Sequence, residues 1–105
     1  MLLLPKPWHR GRAVLIGDAA HTTPPQLASG ATIALEDALV LAEALQAERP
    51  LPELLEMFVE RRYERCRLVV ENSYQLGEWE KNPSLPGADP VGLQSRSFAA
   101  LTQPY

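Results

Sequence analysis

The sequence predicts a mainly α-helical chain with one β-strand, two long helices and an irregular tail. Three observations predict this class: a single short apolar run, AVLI at 13–16; two longer segments whose apolar residues recur at helical spacing; and a stretch rich in proline and glycine from 81 to 105. The chain has 105 residues, of which 46% are hydrophobic, so it is long enough for one small domain.

The strand is expected over about 12–17, where RAVLIGD is a short apolar run followed by a glycine. Pro24 and Pro25 exclude a regular helix or a central strand from the turn that comes next. A lone buried strand would leave its backbone N–H and C=O groups without partners. We therefore expect the chain to be the last part of a larger protein rather than a complete domain.

The first helix is expected over about 31–48, because apolar residues follow three- and four-residue spacings there. Leu35 and Leu39 add apolar character on another side, so this helix is expected to be largely buried. The second helix is expected over about 52–80, with Pro52 in its first turn, where the missing N–H is not needed. Its expected buried face consists of Leu55, Phe58, Val59, Arg62, Cys66, Val69, Val70, Ser73 and Leu76.

Charge and composition argue against several classes of partner. The net charge of −3 does not favour binding to nucleic acid or to an anionic membrane surface. The opening MLLLPKPW is too short for a signal-peptide core or a membrane span. Cys66 is the only cysteine, which excludes an internal disulfide and leaves no cysteine cluster for zinc. We expect a cytoplasmic protein without a metal site.

The segment GDAAHTTPP, at 17–25, is a candidate binding site because it directly follows the predicted strand. A carboxylate at the C-terminal end of a strand, here Asp18, is placed to accept hydrogen bonds from sugar or polyol hydroxyls. The helix start at Gly30, Ala31 and Thr32 offers free backbone N–H groups and the positive end of a dipole, which suit an anion. A purely structural interpretation also fits: Asp18 caps the turn and Gly30 occupies a tight corner.

A longer segment resembles a known motif. GRAVLIGDAAHTTPPQLASGATIALEDALVLAEAL is similar to the second flavin-binding motif of FAD-dependent monooxygenases of the aromatic-hydroxylase type, the para-hydroxybenzoate hydroxylase superfamily. In that family a strand ends in Gly-Asp and is followed by Ala-Ala-His, a Pro-Pro turn, a glycine-containing loop and a helix with Glu-Asp-Ala. The later VERRYERCRLVVENS resembles the family's arginine-rich C-terminal helix. The matching positions are Gly17, Asp18, Ala19, Ala20, His21, Pro24, Pro25, Gly30, Glu36, Asp37 and Ala38.

The resemblance implies a cofactor site for FAD. Asp18, next to Gly17, would hydrogen-bond the ribityl chain, and Pro24 and Pro25 would shape the loop beside the isoalloxazine ring. The backbone N–H groups at the helix start would face the N1/C2 carbonyl edge of the flavin, where the helix dipole favours negative charge. That helix start comprises Gly30, Ala31 and Thr32.

The resemblance also implies structural details of this helix. Asp37 would be a structural partner that holds the helix against the turn, not a catalytic acid. Ala28 and Thr32 stand where many members of the family have glycine and asparagine. At these two positions only backbone contacts to the flavin carry over.

At the level of the whole protein, the resemblance implies a parent α/β FAD-binding (Rossmann-like) domain. Residues 1–80 would be its C-terminal part and 81–105 a proline- and glycine-rich tail. The intact enzyme would use NADH or NADPH and O2 to hydroxylate a small aromatic substrate. The family's glycine-rich motif for the FAD pyrophosphate appears nowhere in this chain. The isolated chain is therefore expected neither to bind FAD tightly nor to hydroxylate a substrate.

Several other residues have competing interpretations. For His21, a role in packing or in stabilising the turn is favoured over general-base catalysis, because no second ligand or nucleophile lies at close spacing. Cys66 is expected in the core, and Trp8 and Trp79 in packing or an interface. A basic cluster on the second helix is expected to form surface ion pairs with interleaved glutamates rather than a phosphate site; its members are Arg61, Arg62, Arg65 and Arg67.

A second function class remains open beside the enzyme. The chain could be a non-catalytic helical interaction module, or a truncated remnant, that self-associates. Exposed strand edges and unpaired apolar surface would drive that association.

Overall fold

The computed structural model describes residues 2–22 and 30–105. Three helices form most of the described chain: α1 at Gly30–Leu45, α2 at Leu51–Lys81 and α3 at Pro90–Leu101. The two long helices confirm the sequence prediction to within a few residues at each end. Pro52 lies in the first turn of α2, as expected. A helix of 31 residues such as α2 is about 46 Å long.

The strands differ from the prediction of a single strand over 12–17. The described residues contain four two-residue strands: β1 at Leu2–Leu3, β2 at His9–Arg10, β3 at Ala13–Val14 and β4 at His21–Thr22. The pairs β1–β4 and β2–β3 are both antiparallel. The apolar run therefore forms half of a small hairpin with the basic lead-in, and Leu15 within it is 44% exposed. The expected buried strand was wrong because an apolar run of this length also fits a short hairpin.

The core lies between α1, α2 and the N-terminal strands. All nine residues expected on the buried face of α2 are buried, together with Leu54. Ile33 and Val40 face them from α1, and Trp8 adds the largest buried side chain. The indole N–H of Trp8 donates to the carbonyl of Leu4 at 2.7 Å, which confirms the expectation that Trp8 is a packing residue.

Two expectations about exposure and order were wrong. α1 is not largely buried, because Leu35 and Leu39 are 67% and 57% exposed on the side away from α2. The tail is not wholly irregular, because it contains α3, which packs against α2. Asp89 caps α3 by accepting from the N–H of Gly92 at 3.1 Å, and Pro90 follows at the first helical position.

The C-terminal residues are fastened to α2 by hydrogen bonds. The Asn72 side-chain amide donates to Ser97 at 2.9 Å. Arg65 donates to the carbonyls of Leu101 and Gln103 at 2.7 and 3.0 Å. These contacts make the segment after residue 89 part of the packed structure. None of the described helices is both long and apolar enough to cross a membrane.

Candidate functional site

The Gly-Asp turn, defined as Gly17–Ala19, is a single turn of 3-10 helix rather than the end of a strand. Gly17 is buried and has a φ of 61°, a left-handed conformation that glycine adopts without the steric cost of a Cβ. The N–H of Ala20 donates to the carbonyl of Gly17 at 2.9 Å and closes the turn. Asp18 therefore projects from a tight turn, and it is exposed to solvent.

Asp37 of α1 contacts the first residue of this turn and His21, two residues beyond its end. Its Oδ2 atom accepts a hydrogen bond from the N–H of Gly17 at 2.9 Å and lies 2.5 Å from Nε2 of His21. Both side chains of this polar pair are completely buried. The expectation that Asp37 holds the helix against the turn is confirmed. His21 packs against Trp8 and bonds Asp37, which agrees with the expected stabilising role.

Arg62 of α2 holds the other oxygen of the same carboxylate. Its Nε donates to Oδ1 of Asp37 at 2.6 Å. Its Nη2 donates to the carbonyl of Ile33 and to Oε1 of Glu36, each at 3.1 Å. Arg65 extends the network with hydrogen bonds of 2.8 and 3.0 Å to the two oxygens of Glu36. We call His21, Glu36, Asp37, Arg62 and Arg65 the ionic network.

The basic cluster on α2 thus divides into two kinds of arginine. Arg67 forms the expected surface pairs, at 3.0 Å, with Glu64 and Glu71 on its own helix. Arg61 lies 3.4 Å from Glu43 in an exposed pair. For Arg62 and Arg65 the expected surface pairing with interleaved glutamates was wrong. They lie on the side of α2 that faces α1, so the acidic residues of α1 are their partners.

The network controls the charge of its carboxylates. Burial would raise the pKa of Asp37, but hydrogen bonds from His21, the Gly17 N–H and Arg62 outweigh it, so the pKa lies below its usual value. Burial acts in the same way on Glu36, where hydrogen bonds from Arg65 and Arg62 bring the net pKa below the usual value. Both carboxylates are therefore ionised at neutral pH and compensated by the two arginines.

A metal interpretation of this region does not fit its chemistry. His21, Asp37 and Cys66 place one potential ligand atom each within 4.8 Å of one another. The guanidinium of Arg62 already bonds the carboxylate, and its Nη2 lies 3.8 Å from Sγ of Cys66. Burial, together with the charge of Asp37, raises the pKa of the Cys66 thiol to about 12, so the thiolate that metals prefer is not formed. Cys66 is a buried core residue, as expected.

The start of α1 is the second part of the candidate site. α1 begins at Gly30, and Ala31 and Thr32 are exposed in its first turn, which contains no acidic residue. The first N–H groups of any α-helix lack intrahelical acceptors, so this end is suited to an electron-rich ligand. The Gly-Asp turn packs against the same helix, and a methyl group added at Gly17 would lie 3.4 Å from Cβ of Ala34. Pro24, Pro25 and Ala28 lie outside the described residues.

In this geometry a turn bonded to α1 presents an exposed carboxylate, and the same helix presents its N-terminus. Residues 4–73 match the family model described as FAD binding domain. This match covers more than half of the chain, so the chain belongs to the FAD-binding domain family. The resemblance predicted from the sequence is confirmed.

Individual relatives carry monooxygenase, hydroxylase and synthase names. The chain is 46% identical over 76 residues to the aurachin C monooxygenase/isomerase of Stigmatella aurantiaca, which is 70% of this chain and 20% of the relative. It is 40% identical over 97 residues to the salicyloyl-CoA 5-hydroxylase of a Streptomyces species, 91% of this chain and 17% of the relative. The 2-heptyl-3-hydroxy-4(1H)-quinolone synthase of Pseudomonas aeruginosa is 46% identical over 76 residues, which is 70% of this chain and 20% of the relative. The chain thus spans about a fifth of the length of these relatives. No solved structure matches it.

The pairing of Arg62 with Asp37 was missed from the sequence. Arg62 is on the expected buried face of α2, and the four-residue spacing of Asp37 from Ile33 puts it on the same side of α1 as that apolar residue. Opposite charges on two faces that both need to be buried are a signal for a buried ion pair. That signal was present, although the spacing alone does not say which acidic residue meets which arginine.

Proposed function

We propose that this chain is the flavin-positioning part of an FAD-dependent monooxygenase that hydroxylates a small aromatic substrate with NADH or NADPH and O2. Asp18 and Gly17 would hold the ribityl chain, and the backbone N–H groups of Ala31 and Thr32, after Gly30, would face the flavin ring. Pro24 and Pro25 would complete the loop beside it. When bound, the flavin supplies the redox chemistry; these residues bind and orient it.

One observation carries this proposal: the fixed placement of the Gly-Asp turn on α1. Asp37 bonds the N–H of Gly17, so the exposed carboxylate of Asp18 is presented from a turn anchored to α1. A carboxylate that accepts from hydroxyls and a helix end that favours negative charge are complementary to a polyol joined to an electron-rich ring. The names of the relatives support the reaction type, and the salicyloyl-CoA 5-hydroxylase supports an aromatic substrate.

The proposal includes a partner, namely the remaining, N-terminal part of an α/β FAD-binding domain. The relatives extend well beyond the matched region, which is about a fifth of their length. The outer side of α1 is apolar and exposed, with Leu35 and Leu39 at its centre. Such a face fits packing against another layer of a domain. Alone, the chain would hold FAD only weakly and would not hydroxylate, and a cytoplasmic location belongs to the same proposal.

The flavin site is tested by titrating FAD into the ¹⁵N-labelled 105-residue chain and following its amide resonances. We expect shifts that concentrate at Gly17, Asp18, Ala31 and Thr32, with weak affinity. Asp18→Ala should raise the FAD concentration at half-maximal shift by about tenfold, the effect of one charge-assisted hydrogen bond. Glu56→Ala, an exposed acid on α2, is the matched control and should leave that concentration unchanged.

Two results would contradict the proposal. Shifts that avoid the Gly-Asp turn and the start of α1 would remove the flavin site. Tight retention of FAD by the isolated chain would contradict the proposed dependence on a further part of the domain.

The exposed apolar side of α1 also favours a second candidate, a helical module that self-associates through this side. The two candidates differ in their response to Leu35→Gln/Leu39→Gln. In the module, this variant abolishes the dimer that sedimentation velocity detects for the wild-type chain. In the flavoprotein segment, wild type and variant respond to FAD alike.

A further inference from the structure

We propose that Arg62 is a positioning residue for the flavin-binding turn: from α2 it fixes the carboxylate of Asp37, and through it the placement of Gly17 and Asp18. This inference rests on the proposed function for its link to the flavin. Its structural part stands on the contacts of Arg62, which is completely buried.

Arg62 bonds α1 at several points. Its guanidinium donates to three points on that helix, the Asp37 carboxylate at 2.6 Å and the Ile33 carbonyl and Glu36 carboxylate at 3.1 Å. A planar fork bonded at three points determines the orientation of the carboxylate it holds. Lysine carries the same charge but lacks the fork, so it would not fix that orientation.

The two carboxylate oxygens of Asp37 have different partners. Oδ1 is taken by Arg62, so Oδ2 is left to accept from the Gly17 N–H at 2.9 Å and to meet His21 at 2.5 Å. Gly17 and His21 lie on either side of Asp18 in the chain. If the carboxylate rotated, the bond from the Gly17 N–H and the contact with His21 would be lost together. Arg62 therefore affects the position of Asp18 indirectly, through Asp37.

Positioning by Arg62 is separable from general support of the fold. Packing between α1 and α2 also comes from apolar residues such as Ile33, Val40, Phe58 and Val69, which all belong to one buried cluster. A change at Arg62 that keeps its bulk preserves most of this packing. The Gly17 N–H has Asp37 as its acceptor, so its hydrogen exchange reports the turn separately from the helices.

The experiment compares Arg62→Lys and Arg62→Met with Arg67→Lys and Arg67→Met in the full 105-residue chain. Arg67 is the matched control, because it lies on the same helix but pairs only at the surface with Glu64 and Glu71. Amide hydrogen exchange is measured at Gly17 and at core positions of both helices. FAD is then titrated, with the amide of Asp18 as the reporter.

We expect exchange at Gly17 to become about tenfold faster in both Arg62 variants relative to the helix-core amides, and to stay unchanged in both Arg67 variants. The FAD concentration at half-maximal shift of Asp18 should rise about tenfold in Arg62→Lys and remain at the wild-type value in Arg67→Lys. The charge is conserved in these two lysine variants, so the difference isolates the geometry of the fork.

Unchanged exchange at Gly17 in a folded Arg62 variant would overturn the inference. If Arg62→Met does not fold, the exchange rate at Gly17 in Arg62→Lys tests the inference. The wild-type chain gives a second test: a Gly17 amide that exchanges as fast as one in an unstructured chain also overturns the inference. A wild-type chain without any FAD response at Asp18 contradicts the proposed function. The exchange rates at Gly17 still decide the role of Arg62 in that case.

Discussion

The two sides of α1 invert the usual arrangement of a helix in a small protein. The side that faces α2 carries Glu36 and Asp37, which are buried, whereas the opposite side carries Leu35 and Leu39, which are exposed. A helix that lies on the surface of a complete domain normally turns its charges to water and its leucines inward. α1 therefore has a polar side that α2 covers and an apolar side that is exposed among the described residues.

The inward charges are tolerated because each is compensated. Arg62 and Arg65 neutralise the two carboxylates of α1, and the Gly17 N–H uses a further lone pair of Asp37. The outward leucines have no comparable arrangement among the described residues. Under the proposed function they lie where the remainder of the FAD-binding domain would pack, so the polar side serves the flavin turn and the apolar side serves assembly.

The largest expected effect comes from breaking the polar side. Arg62→Ala should lower the free energy of unfolding by about 3–5 kcal/mol, because it leaves the buried carboxylate of Asp37 without its guanidinium partner. Arg67→Ala should leave the free energy of unfolding nearly unchanged, as is typical of exposed pairs. Urea unfolding followed by circular dichroism measures both. Equal losses of unfolding free energy in the two variants would show that the buried network contributes no more to stability than the exposed pairs do.

Acid provides a graded way to weaken the same side. The pKa values of Asp37 and Glu36 lie below their usual 3.8 and 4.5 in the folded chain, so their stabilisation is fully present above those values. It is lost as the pH falls through the lower, folded pKa values. The urea concentration at the midpoint of unfolding should therefore be constant down to about pH 5 and decrease at lower pH. In Asp37→Asn this fall should be shallower, whereas Glu64→Gln should follow the wild-type curve; identical curves for the two variants would contradict the assignment.

The smallest effect on stability is expected on the apolar side. Leu35→Gln/Leu39→Gln should change the free energy of unfolding by no more than about 0.5 kcal/mol, because both side chains are more than half exposed. Ile33→Ala, on the opposite face of the same helix, is the matched control and should cost about 2–5 kcal/mol. A large loss in the double glutamine variant would mean that the outer face already contributes to the isolated fold.

The sequence was sufficient to predict the two long helices, because apolar residues recur at helical spacing in both. On α2, nine residues define one face unambiguously. It was insufficient for the strands, since two-residue ladders are too short to produce an alternating pattern. α3 was overlooked because proline and glycine dominate its surroundings. Its start nevertheless carries a recognisable signal, with Asp89 as cap and Pro90 at the first helical position.

For the site, the family resemblance was sufficient to predict Asp37 as the support of the turn, whereas Asp18 was expected at the end of a strand and lies in a 3-10 turn. The ionic network behind them depends on which residues of α1 and α2 meet across the interface. Spacing fixes the face of a helix but not its axial offset against a neighbour, so the partners of Arg62 and Arg65 were not predictable from periodicity alone.

The fork of Arg62 has a consequence for how α2 is registered against α1. The buried residues of α2 recur along most of its 31 residues, and a slide of one helical turn is about 5.4 Å. Such a slide would carry the guanidinium away from Asp37, Glu36 and the Ile33 carbonyl together. Non-directional packing brings the two helices into contact, and the directional bonds of Arg62 and Arg65 to α1 favour this one axial position.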